Sequence, residues 1–281
     1  MTEFRFSYNA IAYTGEDIST SIDRVARFGY DGIELVGEPA DYDTAQLKRM
    51  AEQAGILFSS ICSIYTPERD LAHPDADVRR NAVSYVKDVA RLASELECPT
   101  IIVHPTACMK TSALADPEQE RAWAIDGIRA AGEYADTLGV SLSLECWNRY
   151  ETYFMNRLAQ AVDLWQATGL TNGGVQGDTF HMSIEEASIP EAFRAAGPHL
   201  QHVHLADSNR AAPGAGHLDF TAILEALVEV DYDGWLAFEL LPAYADPFAA
   251  MASGGADEFR DKYTEQAISH VKSCLPQRQE R

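Results

Sequence analysis

Basic side chains are scarce in this chain. Its 281 residues hold 22 Lys and Arg against 43 Asp and Glu, a formal net charge of −21. A field of that sign repels phosphate backbones and anionic membrane surfaces, so nucleic acid is excluded as the expected partner. Long apolar runs are missing as well. Although 46% of the residues are hydrophobic, no stretch approaches the roughly 18 apolar residues of a membrane span, and no membrane partner is expected. Cysteine is limited to five residues, Cys62, Cys98, Cys108, Cys146 and Cys274. An odd number without a CxxC pair argues for reduced thiols rather than a disulfide framework. The opening MTEFRFSYNA lacks the basic-then-apolar profile of a signal peptide, so the expected location is the cytoplasm. No GxGxxG turn supports an open doubly wound sheet.

What the chain does have is alternation. Apolar strand candidates lie at 4–10, 32–36, 57–63, 99–104, 140–145, 173–178, 200–205 and 235–240. Between and after them, helical periodicity runs over 17–28, 43–55, 76–96, 117–138, 157–169, 185–196, 220–229 and 256–273. Asp43 and Asp77 are placed as helix caps, and Gly55 and Gly169 as helix ends. Eight strands alternating with eight helices predict an α/β fold, a single (β/α)₈ barrel in one domain over 1–281. The long, small-residue-rich stretch 240–258 reads as an open loop after the last strand.

In such a barrel the C-terminal strand ends face the active site. Those ends carry Glu34, His104, Glu145, Asp178, His204 and Glu239. A charge closing an apolar run is costly unless it is paired, solvated or on a metal. Three carboxylates and an imidazole, Glu145, Asp178, His204 and Glu239, match an oxygen-rich site for one divalent ion. Mn²⁺ is the first expectation, with Mg²⁺ or Co²⁺ as alternatives. His202 lies two residues before His204 and so shares its side of the strand. It reads either as a satisfied core histidine or as a partner of a metal-bound carboxylate. Glu151 follows Glu145 on a loop with Tyr150, Tyr153 and Phe154, facing either substrate or solvent. Trp147, on the same loop, and His104 are candidates for lining a substrate site, whereas Trp123, Trp165 and Trp235 read as packing.

Four segments carry a resemblance. LECWNRYETYFMN (144–156), GVQGDTFHMSIEE (174–186), HVHLADSNRAAPGAGHLDF (202–220) and YDGWLAFEL (232–240) are similar to segments of the sugar phosphate isomerase/epimerase superfamily of xylose isomerase-like TIM barrels. Within it they most resemble the ketose 3-epimerases acting on D-tagatose and D-psicose. The resemblance implies that Glu145, Asp178, His204 and Glu239 are the metal ligands and that Glu145 and Glu239 double as the acid/base pair. It further implies that Glu151, His181 and Arg210 hold the hydroxyls and carbonyl of a small sugar or sugar-conjugate substrate, and that the chain forms a homo-oligomer. The implied activity is epimerisation through an enediolate.

The chain departs from that pattern in places. Leu240 and Leu241 follow Glu239 where the epimerases carry Pro-Phe, and IIVHPTACMKTS (101–112) replaces a tryptophan-containing loop. These departures leave room for a similar enzyme, the catalytic subunit of a C-glycoside deglycosidase, a carbon–carbon lyase that works with a small partner subunit. Inosose isomerase or dehydratase activity is a further version. Apurinic endonucleases share the barrel, but the charge is hostile to DNA. A true xylose isomerase would need a lysine near the substrate, for which Lys110 is thin support.

Overall fold

The computed structural model describes residues 4–254 and 257–276. Eight parallel strands follow the alternation of the sequence: β1 (Arg5–Asn9), β2 (Gly32–Gly37), β3 (Leu57–Ser63), β4 (Thr100–Val103), β5 (Ser141–Glu145), β6 (Gly173–Asp178), β7 (Leu200–Leu205) and β8 (Trp235–Phe238). They pair in chain order and close through β8 and β1. The expected (β/α)₈ barrel is the observed fold.

Helices cover the outside: α1 (Ile18–Arg27), α2 (Thr44–Ala54), α3 (Ala76–Glu95), α4 (Pro117–Asp136), α5 (Leu158–Thr168), α6 (Thr179–Glu185), α7 (Ile189–Ala196), α8 (Phe220–Glu229), α9 (Pro247–Ala252) and α10 (Asp257–Ser273). Asp17, Asp43, Asp75 and Asp116 cap α1 to α4 by accepting first-turn N–H groups, which satisfies donors the helix cannot. The α3 cap is therefore Asp75; Asp77 sits inside the first turn. Gly55 and Gly169 end α2 and α5 at φ of 69° and 72°, a left-handed geometry that suits glycine.

Two expectations change. The helix expected over 185–196 begins later, as α7, where Ser188 caps it and Pro190 enters its first turn, and a separate short helix, α6, precedes it over Thr179–Glu185 where none was expected. The loop expected over 240–258 contains α9; its residues 255–256, like residue 256 of the last expected helix, lie outside the described residues. Among the described residues, no helix is long and apolar enough to cross a membrane.

Strand register sorts the side chains. Pairings such as Asn9 with Glu34, Glu34 with Ser60, Cys62 with Ile102 and Asp178 with His204 join residues of one face around the barrel. The opposite parity holds Ile33, Leu35, Ile61, Ile101, Val103, Leu142, Leu144, Val175, Val203, Leu205, Leu236 and Phe238, all buried in the hydrophobic core. One parity therefore packs against the helices and the other, with its polar groups, faces the barrel axis.

Candidate active site

The inward parity brings Glu145, Asp178, His204 and Glu239 together, all four buried, with one donor atom from each within 4.8 Å of the others. His204 Nδ1 is at their centre: 3.0 Å from Glu239 Oε2, 3.2 Å from Glu145 Oε1 and 3.6 Å from Asp178 Oδ2. Yet it has no hydrogen-bond partner among the described residues. A buried ring nitrogen left open among three carboxylates is costly unless a further group completes the cluster. The donor set, three carboxylates and an imidazole, fits a hard or borderline divalent cation.

The other edge of His204 is fixed. Its Nε2 meets Glu34 Oε1 at 2.8 Å, and Glu34 Oε2 meets His202 Nε2 at 2.9 Å. Asn9 Nδ2 donates to Glu34 Oε1 at 2.6 Å and reaches Glu239 Oε1 at 3.3 Å, while Ser60 also donates to Glu34. Glu34 thus orients the imidazole so that Nδ1 points into the cluster, the arrangement that sets ligand tautomer and direction in metal sites. His202 bonds Glu34 rather than any of the three clustered carboxylates. Glu34, His202 and His204 also lie within 4.8 Å of one another, but both Glu34 oxygens are already taken up by imidazole nitrogens.

Glu145 is held at both oxygens. Gln176 Nε2 donates to Oε1 at 2.9 Å and Trp147 Nε1 to Oε2 at 2.9 Å. Burial drives its carboxyl up to about 7; His204 opposes the rise, and Glu239 and Asp178 add to it. Asp178 goes the other way: burial would raise it, but Arg210, His181 and His204 hold it well below the usual carboxylate range. Arg210 donates from one guanidinium nitrogen to Asp178 Oδ2 at 2.5 Å and from the other to Glu239, with its plane 4.9 Å over Phe180. Its backbone sits at φ 63°, a left-handed conformation uncommon outside glycine. Asp207 stabilises that turn, accepting from the backbones of Ser208, Gly214 and Leu218.

The short helix α6 delivers His181 beside the cluster. Asn148 donates to His181 Nδ1 from its backbone at 3.3 Å and its amide at 2.8 Å. A backbone N–H can only donate, so Nδ1 accepts and Nε2 carries the proton. Burial lowers this imidazole to about 4 despite the pull of Asp178. Glu151 receives Asn148 Nδ2 at 2.7 Å and lies 3.9 Å from His181 Nδ1.

The remaining candidates form one wall. His104 and Trp147 stack face to face, centroids 3.7 Å apart and 2° from parallel, with Tyr65 set edgewise to both. Lys110 is elsewhere: it is buried between Asp70 Oδ2 at 2.9 Å and Glu120 Oε2 at 2.7 Å. Cys108 is exposed, its thiol raised by partial burial to about 11. Every candidate of the sequence thus falls around one mouth except Lys110. Asn9, Gln176 and Asn148 join the site beyond those candidates; the first two share the inward parity of Glu34 and Asp178, a period-two signal that the sequence does carry.

A family model described as the xylose isomerase-like TIM barrel matches residues 22–274. A D-psicose 3-epimerase of Ruminiclostridium cellulolyticum is 31% identical over 282 residues, covering 92% of this chain and 92% of its own. A 3-dehydro-D-guloside 4-epimerase of Escherichia coli is 27% identical over 245 residues, 85% of this chain and 93% of its own. Among solved structures, a D-psicose 3-epimerase from Clostridium cellulolyticum H10 with D-tagatose matches with a TM-score of 0.88 at 26% identity, over 98% of this chain and 100% of that one. The chain belongs to the xylose isomerase-like TIM-barrel family, alongside relatives named as sugar epimerases.

Proposed function

We propose that this chain is a divalent-metal-dependent sugar epimerase of the ketose 3-epimerase type. It is an enzyme acting on carbohydrates. The observation that carries the finer reading is the open His204 Nδ1 among three buried carboxylates. Glu145, Asp178, His204 and Glu239 would hold the ion. When bound, the ion supplies positive charge that makes a hydrogen beside a carbonyl easier to remove and stabilises the resulting enediolate by several kcal/mol.

The chain's own groups do the proton work. A carbon acid beside a ketone loses its proton only to a positioned base, and inversion needs a second group on the opposite face to return one. Glu145 and Glu239 are the two candidates. Glu145 is fixed at both oxygens, which aims its carboxylate at one position for proton transfer. The Nε2–H of His181 and the Arg210 guanidinium donate toward oxygen atoms where negative charge develops. Glu151 is raised by burial and accepts a sugar hydroxyl. Burial of the cluster keeps bulk water from reprotonating the intermediate.

The test is to incubate the protein with Mn²⁺ in D₂O, offering ketohexoses and 3-oxo-glucosides separately, and to follow the carbon-bound protons by NMR. Deuterium at C3 of a free ketose with growth of its C3 epimer is the expected result. Release of an aglycone from a 3-oxo-C-glucoside, with no ketose exchange, would replace the reading with elimination.

A further inference from the structure

The cluster and its neighbours account for the atoms that react; one buried group beside them is left without a use. His104 is fully buried, yet its Nε2 has no hydrogen-bond partner among the described residues. A buried ring nitrogen is costly to leave unsatisfied, so the position calls for a partner from outside the chain.

Strand register says where that nitrogen belongs. Thr100 pairs with Ser141 and Ile102 with Ser143, so His104 stands level with Glu145 on the inward parity. Its Nδ1 edge is occupied by the Thr106 backbone, 3.2 Å from the N–H and 3.1 Å from the carbonyl oxygen. Its face is fixed by the Trp147 stack, and Trp147 in turn holds Glu145. Only the Nε2 edge remains. The ring is therefore a rigid wall of the same mouth, separated from the carboxylate cluster by the indole.

Resting on the epimerase reading, we propose that His104 is a specificity-determining residue whose Nε2 takes a hydroxyl on the part of the sugar that does not react. The geometry favours a hydroxyl over other groups. Nδ1 is placed either to accept from the Thr106 N–H or to donate to its carbonyl, leaving Nε2 as donor or acceptor respectively. A hydroxyl both donates and accepts, so it satisfies either tautomer. An anionic group fits less well, because Glu145, Asp178, Glu239 and Glu151 surround the mouth. The imidazole stays uncharged there, since burial lowers it to about 3. The substrate class that follows is an uncharged polyhydroxylated ketose or oxo-glycoside, and a sugar phosphate is disfavoured.

The test compares the wild-type chain with His104→Phe, which keeps an aromatic ring against Trp147 and deletes the nitrogen, and with His104→Gln, which restores a hydrogen-bonding end. Each is assayed for C3 exchange on D-psicose and on its 4-, 5- and 6-deoxy analogues, with methyl 3-oxo-glucoside in parallel. The expected result is a loss of about tenfold in kcat/KM for His104→Phe, carried by KM, with partial recovery in His104→Gln. On one deoxy analogue the loss vanishes, because the hydroxyl that Nε2 reads is gone. As a second readout, the ¹⁵N resonance of Nε2 in the wild-type protein shifts when D-psicose is added and not when that analogue is. Equal losses on every analogue, or an Nε2 resonance that does not respond to bound sugar, overturn the assignment. Failure of the wild-type chain to exchange any ketose or oxo-glucoside overturns the epimerase reading instead.

Discussion

Trp147 shows how one side chain can serve position rather than contact. Its indole N–H ends on Glu145 Oε2 while its face lies on His104, so replacing it with Phe removes the hydrogen bond and keeps the stack. Trp147→Phe is expected to lower kcat roughly tenfold with little change in KM, since a hydrogen bond to a charged group is worth about 1.5–3 kcal/mol and this one ends on the proposed base, not on the sugar. Steady-state kinetics on the exchanging substrate checks it; a rise in KM at constant kcat would make the indole a lining group only. His104 gives a different signature, in stability. Burial lowers its imidazole from 6.5 to about 3. The unfolded chain therefore takes up a proton below about pH 6.5 that the folded chain refuses until far lower. The neutral ring's contribution is complete above 6.5 and drains away as the pH falls toward 3. Between pH 7.5 and 5 the loss amounts to about 2 kcal/mol. Denaturant midpoints of the wild type should fall more steeply over that interval than those of His104→Phe; parallel curves would refute the linkage.

The loops after β4 and β5 behave as one element, and an ion cluster joins them. Lys110 forms a bridge with Thr152 and accepts the Tyr153 N–H on its carbonyl at 3.0 Å. Its ammonium neutralises Asp70 and Glu120, both buried. Glu120 also accepts the backbone N–H groups of Leu114 and Ala115 and the Tyr153 hydroxyl. Lys110→Met should destabilise the protein by about 3 kcal/mol, because two buried carboxylates lose the cation that pairs with both. Since the Trp147 loop is tied to that assembly, activity should fall too, and Lys110→Met combined with Glu120→Gln should recover part of the stability. Chemical denaturation of the three proteins decides this; no recovery in the double variant would mean the lysine acts by packing alone. None of this clamp is legible in the sequence, because Asp70 lies on the connection after β3, Lys110 on that after β4 and Glu120 in the first turn of α4, with nothing periodic to join them. The barrel itself was legible for the opposite reason. Strands such as SLSLE and LQHVHL alternate in twos, and that parity also sent Glu145, His204 and Glu239 to one place. Helix α6 gives no such signal, because the seven residues TFHMSIE make barely two turns and continue directly from Asp178, too few to show a helical period. The His104 stack could not be read either, since the direction of Trp147 is set by its backbone bond to Met155 at 3.2 Å.

At the scale of the whole molecule, the charge of −21 and the buried carboxylates of the mouth pose two separate electrostatic problems. Surface acids repel one another through water, and dissolved salt screens them over a Debye length of about 10 Å at 0.1 M. The buried set of Glu34, Glu145, Asp178 and Glu239 is beyond such screening; within the chain it is answered by Arg210 and His204. A divalent ion bound among the last three carboxylates and His204 would answer it more fully and would stabilise the folded state alone. Dialysis against a chelator should therefore lower the melting temperature. Mn²⁺ added at 100 times its Kd should restore about 2.7 kcal/mol, roughly 5 °C or more for a chain of this size. NaCl at matched ionic strength should give a smaller rise that is indifferent to the site. Asp178→Asn separates the two terms, because it removes one candidate ligand while leaving the surface untouched. It should keep the NaCl increment and lose the Mn²⁺ increment in a scanning thermal melt. If NaCl reproduced the Mn²⁺ increment, or the variant retained it, the cation would be acting on the acidic surface and the cluster in the barrel mouth would not be its site.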